Sequence, residues 1–397
     1  MTPVLSNPAA RAIFLQAHAL ADAPTGPANG PALARLIDQI GFVQVDSINT
    51  VERAHQMILW SRCQAYQPKT LKRLLEQDRA LFEHWTHDAS IIPMRLFPFW
   101  RHRFDRDADR LRHHWRRWFR EGYEAQFDTI LDHVARDGPV SSSDVGKDEQ
   151  RGKGGWWDWH PSKTALEWLW RTGKLSITRR DGFRKVYDLT ENVVPADILH
   201  QQIDRPGLID WACNSALDRL GFADEGEIAR YWNAIDKPDV QAWAHKAVAD
   251  GQACRIAVEQ ADGSARPALT RPATLTQARP DVAQRLRILS PFDPALRDRA
   301  RVERLFGFAY RIEVFVPEPK RQYGYYVFPV IEGDRLIGRL DARALRAEGR
   351  LHMRAFWPEA GQRMGKMRQD RLMRQAERLA RFAGCDRVTV EDGWLRA

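Results

Sequence analysis

An amide and a carboxylate two residues apart, in Gln44-Val45-Asp46, form the arrangement in this chain best suited to chemistry. The surrounding run Phe42 to Asp46 alternates apolar and polar residues with the period of two of a short half-buried strand. Residues two apart on a strand face the same side, so Gln44 and Asp46 stand together while Val43 and Val45 enter a core. Such a pair can hold a water: the carboxylate accepts its proton or stabilises positive charge, and the amide orients it. The same spacing also fits the polar outer face of an edge strand, or Asp46 capping the helix that follows. Other signatures are missing: no HExxH, no Walker loop, no GxSxG elbow and no GxGxxG entering a helix. Gly152, Gly154 and Gly155 read as linker, and Trp156, Trp157 and Trp159 suit either core packing or stacking on bases. Cys63, Cys213, Cys254 and Cys385 are scattered without metal or disulfide spacing, and His113-His114 could ligate a metal only with ligands far away in sequence and reads as decoration of an arginine-rich helix, so neither a metal nor another cofactor is expected.

The elements that must position this pair can be read from caps, breakers and periodicity. A helix over Ala9 to Ala21, a loop over Ala23 to Pro31 and a helix over Ala32 to Ile40 precede the strand. Asn49-Thr50-Val51-Glu52 has the layout of a capping box and predicts a helix to about Arg62. Residues 1–120 are therefore compatible with a first winged-helix unit followed by a basic helix. Residues 121–200 repeat the layout: a helix from Tyr123 to Arg136, a short Ser-capped helix near Ser142, and a helix from Pro161 to Thr172 with Gly173 at its exit. Strands Leu175 to Arg179 and Arg184 to Leu189 then form a hairpin around Asp181-Gly182. A weaker third pass over 201–287 places helices at Asp204 to Leu220, Asp224 to Trp232 and Val240 to Asp250, then a strand at Gln252 to Glu259. From 288 to 397 an α+β module is expected, with strands Tyr310 to Val316, Tyr325 to Ile331 and Arg335 to Asp341 and a basic helix Arg363 to Ala383.

With 397 residues the chain is long enough for two or three domains, and its formal charge of +9 favours a polyanionic partner. The excess is patchy: Arg101 to Arg120 holds eight Arg against three Asp, and Arg343 to Arg381 holds eleven Lys and Arg against four Asp and Glu. Arginines spaced along helices can neutralise phosphates, and winged-helix units commonly dock on DNA; solvated faces with internal ion pairs are the alternative. The N-terminus has no signal-peptide layout and no apolar run reaches about 18 residues, so a cytoplasmic protein that does not span a membrane is expected.

At the Gln44-Val45-Asp46 motif the chain resembles the YcaQ-type (AlkX/AlkZ) winged-helix DNA glycosylases. The resemblance runs from Gly41 to Ile48 through Val51-Glu52-Arg53-Ala54-His55 and Leu59-Trp60-Ser61-Arg62. It continues in Leu81 to Trp85, Ile92-Pro93-Met94, Gly154 to Trp159 leading to Lys163, Ala165 to Gly173 and Val186 to Leu189, then in Leu289 to Pro294, Glu303 to Phe308 with Tyr310 to Glu313, and Pro319 to Tyr326, and so covers nearly the whole chain. It implies an α+β fold of tandem winged-helix units forming a C-shaped basic channel, with Gln44 and Asp46 as a catalytic QxD motif at its floor. The implied activity is monofunctional, metal-free excision of N7-alkylguanine from double-stranded DNA, including the unhooking of interstrand crosslinks, by a monomer associated with the nucleoid. Arg53, Arg62, Lys163, Arg171, Lys320, Arg321 and Tyr323 are the candidate DNA contacts on this reading. A non-catalytic winged-helix DNA binder and a resistance protein specialised for one natural alkylating product are the rival readings.

Overall fold

The computed structural model describes residues 2–117, 122–146, 149 and 160–396, and it has an α+β fold. The linker glycines and Trp156, Trp157 and Trp159 lie outside the described residues. Strand β1 (Val4–Leu5) and helix α1 (Asn7–Ala17) open the chain, followed by α2 (Gly30–Ile40), whose Asn29 cap accepts the Ala32 N–H and whose buried stripe is Leu33, Ile37 and Ile40. Gly41 ends α2 at φ 85°; a Cβ there would lie 2.7 Å from Nε of Arg219, so both the turn and the close approach require glycine. Strand β2 (Val43–Gln44) leads into α3 (Ala54–Arg62) and α4 (Pro68–Glu76), and β3 (Leu81–Trp85) and β4 (Ala89–Pro93) complete a three-stranded sheet in the order β2-β4-β3.

The long basic helix α5 (Phe97–Arg117) is followed by α6 (Phe127–Asp137), β5 (Val140–Ser141), α7 (Pro161–Arg171), β6 (Leu175–Asp181) and β7 (Arg184–Leu189), with sheet order β5-β7-β6. Two single-turn helices, α8 (Thr190–Val193) and α9 (Ala196–Leu199), link to α10 (Arg205–Leu220), β8 (Phe222–Ala223), α11 (Glu225–Trp232), α12 (Lys237–Ala249), β9 (Cys254–Glu259) and β10 (Ala265–Thr270). After α13 (Pro272–Thr276), a five-stranded sheet takes β11 (Leu286–Ile288), β12 (Val327–Glu332), β13 (Arg335–Leu345), β14 (Arg350–Pro358) and β15 (Arg387–Val390) in sequential order, with α14 (Arg299–Phe306) and α15 (Lys366–Phe382) beside it.

Four expectations are corrected. Asn49 caps nothing: the Ala344 N–H donates to Thr50 O at 2.8 Å, which ties the loop to β13, and α3 starts only at Ala54. No helix forms at Ser142, because the Ser141 N–H and hydroxyl both donate to Asp144 Oδ2 and close a turn beside β5. The segment Tyr310 to Val316 is not a strand. Glu313 accepts the backbone N–H groups of Gln322, Tyr323 and Gly324, folding 310–325 into a closed loop. Finally, the first twenty residues touch α2 only at their end, where Gln39 Nε2 donates to Gln16 O, and otherwise pack elsewhere. Strand β1 pairs parallel with β9, and Phe14, Leu15 and Leu20 share a core with Leu208, Leu217 and Ile256.

The middle of that expected first unit joins the C-terminal module instead: Leu33, Ile37, Met57 and Trp60 share a core with Phe328, Leu340, Leu351 and Leu379. Strand β2 therefore lies between two large hydrophobic cores, a rigid support for a polar pair. Among the described residues no helix is long and apolar enough to cross a membrane, and all four cysteines are free thiols.

Candidate active site

Strand β2 places Val43 and Val45 in the core, at 0% and 5% exposure, and sends Gln44 and Asp46 to the other face. Asp46 is half-buried, and its Oδ1 accepts the Ile48 N–H at 2.8 Å. That bond closes a local turn two residues on; it does not cap α3. Burial raises the Asp46 carboxyl above the usual aspartate range, against the lowering effect of the Ile48 hydrogen bond.

Gln44 is buried and held at both ends of its amide. Its Nε2 donates to Asp88 Oδ2 at 3.2 Å, and its Oε1 lies 3.0 Å from His87 Nε2. The carboxylate dictates the orientation, since only the amide nitrogen can donate to it. The imidazole is uncharged. Although His87 is solvent-accessible, the protein enclosing it desolvates the ring and, with Arg297, Arg103 and Arg299, pushes its pKa down to about 3. Its Nε2 must then carry the proton given to Gln44, which leaves Nδ1 to accept from the Thr86 hydroxyl 3.1 Å away. Thr86, His87 and Asp88 form the turn between β3 and β4, where the Thr86 N–H donates to Asp88 O.

Cations from four segments surround this spot. Arg103 on α5 donates to Thr86 O and Trp232 O, and burial lowers its pKa to about 9. Arg297 and Arg299, next to and at the start of α14, reach His87 electrostatically. Arg171 on α7 and Lys185 on β7 act on Asp88. Arg171 stacks on the Trp85 ring at 4.1 Å, and Lys185 Nζ lies 2.9 Å from Glu167 and 3.7 Å from the Trp170 ring centre. A polar pair with exposed edges inside a cationic surround suits a substrate that is anionic overall and cationic at the reacting centre.

The family model of AlkZ-like DNA glycosylases matches residues 37–382. The chain belongs to the AlkZ-like DNA glycosylase family. The solved structure of the Streptomyces sahachiroi DNA glycosylase AlkZ is similar in fold, with a TM-score of 0.63 at 16% identity, covering 99% of this chain and 100% of that one. The substrate of this DNA glycosylase is accordingly DNA.

The structure separates the candidate DNA contacts of the glycosylase into four groups. Arg62 is corrected outright. Its side chain is 0% exposed, bound bidentately to Asp293 at 2.7 and 2.8 Å and to the carbonyls of His18 and Ile58, so it fastens α3 to the C-terminal module and cannot reach a phosphate. Arg53 and Arg171 are packed on aromatic rings. The Arg53 guanidinium lies 4.4 Å from the Phe183 ring centre at a cavity of about 440 Å³, while Arg171 is buried among Glu167, Asp107 and, more weakly, Asp88. Lys320 is exposed on the loop 310–325. Arg321 donates to Val316 O, and Tyr323, whose N–H Glu313 accepts, sits under the Arg339 guanidinium. Lys163 is half-buried in the first turn of α7.

Asp88, His87 and Lys185 are the neighbours that sequence reasoning missed. A signal was present: His87-Asp88 occupies the turn just before the strand run Ala89 to Pro93. Nothing local, however, says that this strand pairs with Val43-Gln44.

Proposed function

We propose that this DNA glycosylase hydrolyses the N-glycosidic bond of N7-alkylguanine in duplex DNA, including guanines held in interstrand crosslinks, and leaves an abasic site. The observation that carries this reading is the shared face of Gln44 and Asp46 at an accessible strand end surrounded by cations. N7 alkylation makes guanine cationic and so a good leaving group, and the remaining task is to stabilise an oxocarbenium-like sugar and deliver water. Asp46 supplies the negative charge and accepts the proton of the attacking water. Gln44, held by His87 and Asp88, has one amide hydrogen left to orient that water.

Two observations support the finer points. Lys185, whose charge reaches Asp88, is engaged by Glu167 and the Trp170 ring, which favours attack by water over attack by an amine and hence monofunctional excision. The accessibility of His87 and Asp46 favours reaction on a base that cannot be swung fully out of the duplex, as when a crosslink tethers it to the opposite strand. The enzyme acts as a monomer on this reading. Incubation with duplexes carrying N7-methylguanine or a nitrogen-mustard crosslink, followed by hot alkali, is expected to give strand breaks at the modified guanine. Intact strands with both substrates would sink the proposal.

A further inference from the structure

The register of the first sheet brings a second acid to the place where Asp46 stands. Strand β2 pairs antiparallel with β4, Val43 opposite Ile91 and Gln44 opposite Ser90, and the Val45 N–H donates to Ala89 O at 2.8 Å. Carried one step past the strand end, that register brings Asp46 to the side of Asp88, whose carboxyl feels the Asp46 charge. Directly opposed residues of an antiparallel pair share a face, their Cβ atoms roughly 4.5 to 5.5 Å apart, and like charges there are destabilising. Neither acid forms an ion pair among the described residues. Asp88 Oδ1 accepts the Ala89 N–H, and its Oδ2 accepts from Gln44. Burial and then the Asp46 charge raise the Asp88 carboxyl, against the Ala89 hydrogen bond and the charges of Lys185 and Arg171.

We propose that Asp88 is a positioning and charge-selecting residue of this glycosylase: it orients Gln44, and with Asp46 it forms a two-carboxylate patch that favours a cationic nucleotide. The inference rests on the glycosidase reading above and adds to it a determinant of substrate class. The partly exposed Lys185, Arg297 and Arg299 favour the phosphate backbone, and together with the buried Arg103 and Arg171 they disfavour a cationic base or an oxocarbenium sugar. Glu167 beside Lys185 and Arg171, Asp107 beside Arg103, and Asp298 and Asp293 beside Arg297 and Arg299 temper that repulsion from the cations' own side, and Asp46 opposes the remainder at the reacting centre. Two adjacent carboxylates, beside an imidazole held uncharged, concentrate negative charge at the reacting centre itself.

The test compares duplexes carrying a pyrrolidine nucleotide, protonated like the reacting sugar, with duplexes carrying its neutral tetrahydrofuran counterpart. The wild-type protein is expected to bind the cationic analogue at least roughly tenfold more tightly. Asp88→Asn and Asp88→Ser, the latter keeping an acceptor for the Ala89 N–H, are expected to lose most of that preference while binding undamaged duplex within about twofold of wild type. Folded variants that keep the wild-type preference overturn the inference, and if the wild type still excises N7-methylguanine, the glycosidase reading stands. A wild type with neither excision nor preference overturns both. Should both variants fail to fold, the wild-type preference is followed from neutral to about pH 4; it must decline with uptake of two protons, and a one-proton decline overturns the inference.

Discussion

Arg62 with Asp293, and Asp46 with Asp88, are two charge clusters built on opposite rules. In the first, both side chains are 0% exposed, the bond is bidentate, and the spare guanidinium hydrogens reach the His18 and Ile58 carbonyls. In the second, two acids stand just beyond the ends of a strand pair, half-exposed, without an ion pair among the described residues. Desolvation is offset by a bidentate counter-ion in one cluster, and in the other only in part, by hydrogen bonds from Ile48, Ala89 and Gln44. Charge strain of the second kind gathers where a field must act on a ligand; charge satisfaction of the first kind holds segments together.

The largest expected effect tests the first cluster. Arg62→Met leaves Asp293 buried and unpaired and should cost about 3–5 kcal/mol in urea unfolding. A loss of a few tenths would erase the contrast. Asp46→Asn should slow excision of N7-methylguanine by roughly 10²–10³-fold at retained affinity for DNA. If excision and DNA binding fell together, Asp46 would belong with Arg62 as a structural residue.

The same Asp46→Asn variant should be more stable than wild type by roughly 0.2–1 kcal/mol at neutral pH, since the opposed charges are relieved. Its amide oxygen can still accept the Ile48 N–H. A carboxyl raised on folding contributes stability below its unfolded pKa that disappears as pH rises through the folded value. The advantage of the asparagine variant should therefore open on going from acid to neutral pH. Glu83 runs the other way. Burial raises it, yet the charge and hydrogen bonds of Arg180 outweigh burial and hold it below the usual range, so its contribution is present at neutral pH and fades as pH falls. Urea midpoints of Asp46→Asn and Glu83→Gln at two pH values should change with opposite signs. The smallest effect concerns the exposed loop: Lys320→Ala should weaken DNA binding a few-fold, lowering the slope of log affinity against log salt by about 0.9 if Lys320 neutralises one phosphate.

Local signals in the chain were accurate where structure is local. Pro161 and Gly173 bracket α7, Asp181-Gly182 turns the β6–β7 hairpin, and the alternation around Val43 and Val45 put Gln44 and Asp46 on one face. They failed where a distant segment competes for the same atoms. Thr50 is drawn to Ala344, and Glu313 is taken by the backbone of residues 322–324. Arg62 at a helix end looks in sequence like any solvent-facing arginine, and only Asp293, 231 positions away, makes it a buried one.

The sequence by itself determined the α+β class, the basic patches, the amide and acid of one strand and the family resemblance, because caps, turns and side-chain alternation act over a few residues. Tertiary structure alone decided that the first twenty residues join a distant sheet, that Arg62 is an anchor, and that His87 and Asp88 grip Gln44. Strand register and burial depend on which remote segments meet, and a second carboxylate 42 positions along the chain becomes a neighbour only when β2 and β4 pair.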